Sequence, residues 1–270
     1  MKIFDFHTHI FPDELAPVAL GKLAYSASIK PHSDGTLNGT KQVMIDSGIC
    51  GFNTLHIATN PKQQSNVNAF AIGVNDGKIA TAFGSVHPSS DTALDELMRL
   101  KKAGVKGIKL HPDYQDFFLA DKKLYSIYDF CKQENLIVLF HAGHDPAFMG
   151  ELKSGINAIK TIAKDFKGLK FIAAHFGGLL IPHEVKDELA GKVDIYLDTS
   201  CSVGFVPQEL AAQIILKHGA DKILFGSDCP WGSPKAHFEF IDNLPLKDKE
   251  KELIFIGNAE RLLGKIKIFK

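Results

Sequence analysis

Short apolar runs, each ending in polar or small residues, recur along the whole chain, and their lengths suit strands better than helices. The pattern predicts eight strands, at residues 2–10, 52–58, 79–86, 105–111, 136–141, 169–175, 193–199 and 222–228. Most of the segments between them carry helical periodicity. Leu94, Leu97, Met98 and Lys101 share a face behind a Ser89-Ser90-Asp91 cap. Leu124, Ile127, Tyr128 and Cys131 follow Asp121, and Leu210, Ile214 and Ile215 follow Pro207. Gly104, Asn135, Gly168 and Gly219 stand where these helices stop before the next strand.

Strand and helix alternating eight times is the signature of a closed parallel barrel, so the predicted fold class is α/β, a single (β/α)8 TIM barrel. An open doubly wound sheet also alternates, but it has no reason to stop at eight, and no GxGxxG follows the first strand. The 270 residues suit one such domain, which runs to about 250 residues, and nothing reads as an interdomain linker. Residues 11–38, rich in Pro, Ser and Gly, exceed a normal connection and are expected to lie across the barrel mouth as a loop. Residues 247–263 read as one or two further helices packed on the barrel's outside.

Composition narrows the partners. Lys plus Arg equals Asp plus Glu at 31 each, so no strong field points at nucleic acid, membrane or a polyanion. The expected partner is a small-molecule substrate, and a homodimer is left open. Cys50, Cys131, Cys201 and Cys229 form no CxxC pair, which fits a reducing, cytoplasmic setting. The residues before His7 hold no signal-peptide pattern, and no apolar run approaches the ~20 residues of a membrane helix. Only Arg99 and Arg261 are arginines.

The chemistry gathers at the strand ends, where such barrels keep their reactive groups. These ends read Asp5-Phe6-His7-Thr8-His9, His87-Pro88, Lys109-Leu110-His111-Pro112, His141-Ala142-Gly143-His144, His175-Phe176-Gly177-Gly178 and Ser227-Asp228-Cys229-Pro230. More than half of the 12 histidines therefore fall on one face. His7 and His9, two apart on a strand, point the same way roughly 6.5 Å apart and can close on one cation. Asp5, expected on the same face one step deeper, reads as an acceptor that orients an imidazole. Lys109 and His111 share the inner face of the fourth strand. Lys109 is a partner for a buried carboxylate, a cation for a substrate anion, or a metal bridge. His87, His111 and His144 either line the site or shape their loops. His32, His183, His218 and His237 are expected in solvent, and His56 in the core or lining. Asn258 is expected to cap the last helix, with Arg261 exposed or paired nearby. Trp231 walls the pocket or simply packs, and Gly177-Gly178 allow close backbone approach beside a metal.

These residues resemble the amidohydrolase superfamily, and more closely its amidohydrolase-2 group. The likeness lies in DxHxH on the first strand, His on the fifth and sixth, Asp in GSDxP on the eighth, Gly107-Ile108-Lys109-Leu110-His111-Pro112, and Gly257-Asn258-Ala259-Glu260-Arg261-Leu262. The resemblance implies one divalent metal, usually zinc, on His7, His9, His141 and Asp228, with manganese, iron or cobalt as alternatives. It implies that His175 acts on water or substrate, or binds a second metal as in binuclear relatives, where a carboxylated lysine or Glu holds the place of Lys109. The first function it implies is a hydrolase of a small amide, lactone or ester, with Asp228 taking the proton of a metal-activated water. The alternative is a non-oxidative decarboxylase, weakened because neither arginine stands at a strand end. Lys109, His111, His144 and Trp231 are the candidate substrate contacts. A metal-dependent DNase is disfavoured, since Glu-Ile-Gly-Leu-Asp is replaced here by Gly107-Ile108-Lys109-Leu110-His111. A catalytically dead barrel would have lost a ligand position, and all four are present.

Overall fold

The computed structural model describes residues 1–75, 80–148 and 150–266. Eight parallel strands form: β1 (Phe4–Thr8), β2 (Gly51–Leu55), β3 (Ala80–Phe83), β4 (Gly107–Leu110), β5 (Ile137–Phe140), β6 (Phe171–Ala173), β7 (Tyr196–Asp198) and β8 (Ile223–Leu224). Ile79, the expected start of the third strand, lies outside the described residues. Main-chain bonds carry the ring across its two seams. Lys109 N donates to Gly84 O (2.8 Å) between β4 and β3, and Phe6 N to Phe225 O and Asp228 N to His7 O (both 2.8 Å) between β1 and β8. The fold is the (β/α)8 barrel. Its strands stop one to four residues short of the predicted ends, so His87, His111, His141 and Asp228 stand on loops just past the strands.

Helices α1 (Ala16–Ala27) and α2 (Leu37–Asp46) both lie between β1 and β2. The supposed mouth loop is therefore largely helical, because Pro17 opens α1 at its first turn and the Thr36 hydroxyl caps α2. The regular sequence of crossovers follows with α3 (Gln64–Val74), α4 (Ala93–Lys102), α5 (Tyr125–Gln133), α6 (Ile156–Asp165), the single turn α7 (Pro182–Glu184) and α8 (Gln208–His218). Gly104, Asn135, Gly168 and Gly219, the predicted helix stops, all take positive φ. The predicted cap of α4 is different. Thr92 precedes the helix, and Ser90 instead accepts from Gln64 Nε2 at 2.7 Å.

The core has two layers. Ile108, Leu110, Val138 and Phe140 face outward against Leu97, Leu100, Ile127 and Cys131 of the helices. Phe4, Phe6, Leu55, Phe83, Ile137, Leu139, Ile172 and Leu224 fill the barrel's inside. After α9 (Pro234–Asp242), the tail is α10 (Asp248–Glu252), a π-helical turn (Leu253–Gly257) and α11 (Asn258–Leu263). It does not simply coat the outside: Ile256, Ala259 and Leu262 join the inner cluster and plug the barrel. Asn258 is fully buried, and its Nδ2 donates to Ala220 O and Ile223 O at 2.8 and 2.6 Å. It ties the tail to β8 instead of capping a helix, because the preceding turn is already helical. Arg261 reaches Asp221 O at 3.1 Å from an exposed position.

Candidate metal centre

A bulge on β1 builds the centre. Phe4 pairs with Gly51 and Asp5 with Phe52, but Thr8 pairs with Thr54, so β1 carries one extra residue. The extra residue reverses the alternation of faces. Phe4 and Phe6 fill the barrel below it, and His7 and His9 face the cavity above it. Asp5 is thereby removed from their face. It accepts from the backbone amides of His7 (3.1 Å) and Ser227 (3.0 Å) and staples β1 to the chain after β8. Burial pushes its carboxyl up to about 7.

The carboxylate that orients an imidazole is Asp198, at the end of β7. Its Oδ2 lies 2.8 Å from His7 Nδ1, and its Oδ1 accepts from the His175 and Ser200 amides at 3.0 Å and from the Ser200 hydroxyl. Burial alone would raise its pKa, but the His7 imidazole and these bonds hold it below the usual carboxylate range. The signal was present in the sequence, since Asp198-Thr199-Ser200 ends a predicted strand. Without a histidine or a motif it did not stand out.

These partners decide where the protons sit. Burial pushes His7 down to about 4, so it is neutral, and Nδ1 donates to the ionised Asp198. His9 Nδ1 faces the Leu55 carbonyl at 2.9 Å, an acceptor only, and therefore also donates. With these tautomers each Nε2 presents a lone pair when the ring is neutral, and that of His7 also lies 3.5 Å from Lys109 Nζ. The two Nε2 atoms lie 3.2 Å from each other and each 3.2 Å from Asp228 Oδ1, a further acceptor. Burial works to raise the Asp228 carboxyl, but a positive charge at the His7–His9 position outweighs it and holds the group far below its ordinary range, so it brings no proton. Three acceptors pointed at one another repel unless a cation sits among them, so this donor set fits a metal ion. Close packing makes the approach possible: a Cβ on Gly226 would fall 2.8 Å from His7 Cβ.

The neighbouring histidines form a relay. His175 Nδ1 faces the Ser200 carbonyl at 3.2 Å and donates there, leaving its Nε2 to accept from His141 Nδ1 at 3.0 Å. His141 Nε2 is buried with no hydrogen-bond partner among the described residues. Burial also lowers the pKa of His141 and His175, which keeps both rings neutral. His7, His9 and Asp228 offer ligand atoms within 4.8 Å of one another, as do His175, Cys201 and Asp228. His141 forms a third such group, with His111 and Asp145. The His111 ring stacks on His141 with centroids 4.3 Å apart and places Nε2 3.2 Å from Asp145 Oδ2. Asp145 was not singled out in the sequence, because its role depends on how the loop after β5 folds back. Cys201 is no nucleophile, since burial pushes its thiol well above the ordinary range.

Lys109 ends 3.5 Å from His7 Nε2 and has no carboxylate within 4.0 Å among the described residues, so the buried-pair reading of this lysine does not hold there. Burial pushes its ammonium down to about 8. With His7, His9, His56, His111, His141, His175, Asp228 and Trp231 it lines a cavity of about 540 Å³. His144 is not among the lining residues, and neither is His87, whose Nδ1 accepts from Ser89 N within its own loop. His237 is buried, not solvated: Nδ1 donates to Ser233 O at 2.9 Å. His218 binds Ile195 O, whereas His32 and His183 are exposed, as expected. Gly177 and Gly178 make room for Leu189, Leu197 and Val185 side chains, not for backbone beside the centre. Strain concentrates here, with His175 at φ 58°, Cys201 at 55° and Asp228 at 67°.

Comparisons with known proteins agree with this architecture. A TIM-barrel protein from Bordetella bronchiseptica is 20% identical, with a TM-score of 0.73 over 97% of this chain and 98% of that one. The 2,6-dihydroxybenzoate decarboxylase from Rhizobium is 15% identical, with a TM-score of 0.71 over 97% and 98%. The 4-oxalomesaconate hydratase from Rhodopseudomonas palustris is 19% identical, with a TM-score of 0.66 over 97% and 95%. At these identities the likeness is one of fold. No curated protein matches the chain. The family model described as amidohydrolase matches residues 4–265, nearly the full length, and the chain belongs to that family.

Proposed function

We propose that the chain is a metal-dependent hydrolase that directs water onto a small amide, lactone or ester. The observation that carries this reading is the meeting of three lone pairs, on His7, His9 and Asp228, at 3.2 Å. His7, His9 and Asp228 would hold one divalent cation, with His141, whose buried Nε2 has no hydrogen-bond partner among the described residues, as the fourth donor. Three imidazoles and a carboxylate suit zinc, with manganese, iron and cobalt as alternatives. When bound, such an ion polarises a carbonyl and lowers the pKa of water from about 15.7 towards roughly 7. The chain's own residues manage the protons. Asp228 accepts one from the attacking water and returns it to the leaving group. His175, held by the Ser200 carbonyl at Nδ1, takes up and delivers a proton at Nε2.

Two other readings each have an observation behind them. His141 Nδ1 and His175 Nε2 face each other at 3.0 Å, and Lys109 has no carboxylate partner among the described residues, an arrangement that also suits a second cation with His175 as its ligand. Decarboxylation, the activity named for the Rhizobium neighbour, would use Lys109, the one Lys or Arg among the lining residues, as partner of the substrate carboxylate. Arg99 is bound to Glu96 and Ser65, away from the cavity.

One set of measurements separates these readings. Metal analysis of the zinc-loaded protein should return one equivalent per chain, and a His7→Ala/His9→Ala variant should lose it while staying folded. Against a panel of lactones, esters, amides and aromatic carboxylates the protein should release acid. Asp228→Asn should lower that turnover by at least ~10²-fold. Two equivalents of metal would select the binuclear reading, and carbon dioxide without hydrolysis would select the lyase.

A further inference from the structure

The cavity has two chemically different ends. Its floor, at the strand ends, carries His7, His9, Lys109, His141, His175 and Asp228. Its outer part is walled on one side by the segment after β1, through Phe11, Leu15, Leu23 and Ile29. The facing wall comes from the chain after β2 and from α3, through Ile57, Val67 and Phe70. The polar side chains on that side are His56, which burial keeps neutral, and the uncharged Thr59, Gln63 and Asn66. The apolar wall also continues to solvent: Leu15, just before α1, lines the cavity and is 58% exposed, and Val18 and Tyr25 of α1 are exposed as well. Helix α1 carries a single charged residue, Lys22.

A wall of this kind selects its guest by desolvation. A charged group carried into it would lose water and find no counter-charge, whereas each methylene placed there gains burial. The geometry points to a substrate with an uncharged apolar arm, alkyl or aryl, that lies between α1 and α3 and leaves its reactive carbonyl on the floor. This rests on reading the floor as the reactive end, and it narrows the substrate class to apolar acyl or alkyl esters, amides or lactones. Substrates whose arm places a charge within the walled stretch, short of solvent, are disfavoured by the same wall.

The single tryptophan, Trp231, lines the cavity and reports occupancy by its fluorescence, independently of turnover. The zinc-loaded protein is titrated with 2-butanone, 2-hexanone, 2-octanone and 7-oxooctanoate, which share a methyl ketone and differ in the arm. Affinity should rise by about fourfold for each added methylene, and 7-oxooctanoate should bind at least ~10-fold more weakly than 2-octanone. Val67→Asp should erase most of the gain of 2-octanone over 2-butanone and leave 2-butanone unchanged. Equal affinity along the ketone series, or tighter binding of 7-oxooctanoate than of 2-octanone, would overturn the proposal even if Val67→Asp does not fold. If the ketones follow the expected order but no ester is hydrolysed, the hydrolase reading fails and the apolar arm stands. If short esters are hydrolysed without any preference for longer arms, the reverse holds.

Discussion

His7 shows how one residue is specified from two directions. Its Nδ1 is claimed by Asp198, and that bond alone leaves Nε2 bare and facing Asp228. Asp198→Asn keeps the shape but removes the obligation, since an amide can donate to Nδ1 and move the imidazole proton to Nε2. The expected outcome is a 10–100-fold loss of zinc affinity by calorimetric titration, with little change in fold. Unchanged affinity would mean that Asp198 is only a packing residue. The position of His9 is easier to read, because its partner is a main-chain carbonyl that no substitution at Leu55 removes.

Among the elements, the seam between β1 and β8 matters most to the centre. The β1 bulge turns His7 and His9 towards the mouth, and the glycine of the Gly226-Ser227-Asp228 turn lets the two strands approach. Gly226→Ala would place a methyl 2.8 Å from His7 Cβ and 3.4 Å from Ser200 Cβ. The expected cost is about 1–3 kcal/mol, measured as a lower urea midpoint, together with weaker zinc binding. An unchanged midpoint would show that the seam relaxes freely. The same seam explains why Asp5 seemed, from alternation alone, to share the face of His7. Strict period-two reading has no way to register one extra residue.

For the whole molecule, the collection of buried neutral histidines has a consequence for pH. His7 and His56 are pushed down to about 4 and 3 by burial, and His111, His141, His175, His218 and His237 are also lowered. In the unfolded chain these groups titrate near 6.5. As pH falls below 6.5 the unfolded state binds protons that the folded state refuses, so stability drops down to the folded values. Asp5 and Asp113, raised to about 7 and 6, act the other way. Their folded values exceed the unfolded ones, so their contribution is complete at low pH and is lost as pH rises through 6 to 7. Histidines outnumber these carboxylates, so the metal-free protein should lose several degrees of Tm between pH 7 and pH 5. A constant or rising Tm over that window would show that the rings are already solvated.

The chain's alternation of short apolar runs with helical periodicity determined the barrel without help from three dimensions. Burying one face of each strand and one stripe of each helix, eight times over, has few other solutions. It also placed His7, His9, His141, His175 and Asp228 at the strand ends, because reactive groups on a packed barrel have only the loops above the core to occupy. What the tertiary structure alone decided is which of them touch. Asp198 reaches His7 across 191 positions of sequence, and Asp145 reaches His111 only because the loop after β5 folds back. The tail's place in the barrel's inner cluster and the helical character of the mouth were decided there too. Local pattern reports the state of a residue and its neighbours a few positions away, whereas bond partners depend on strand register and on loops that close at a distance.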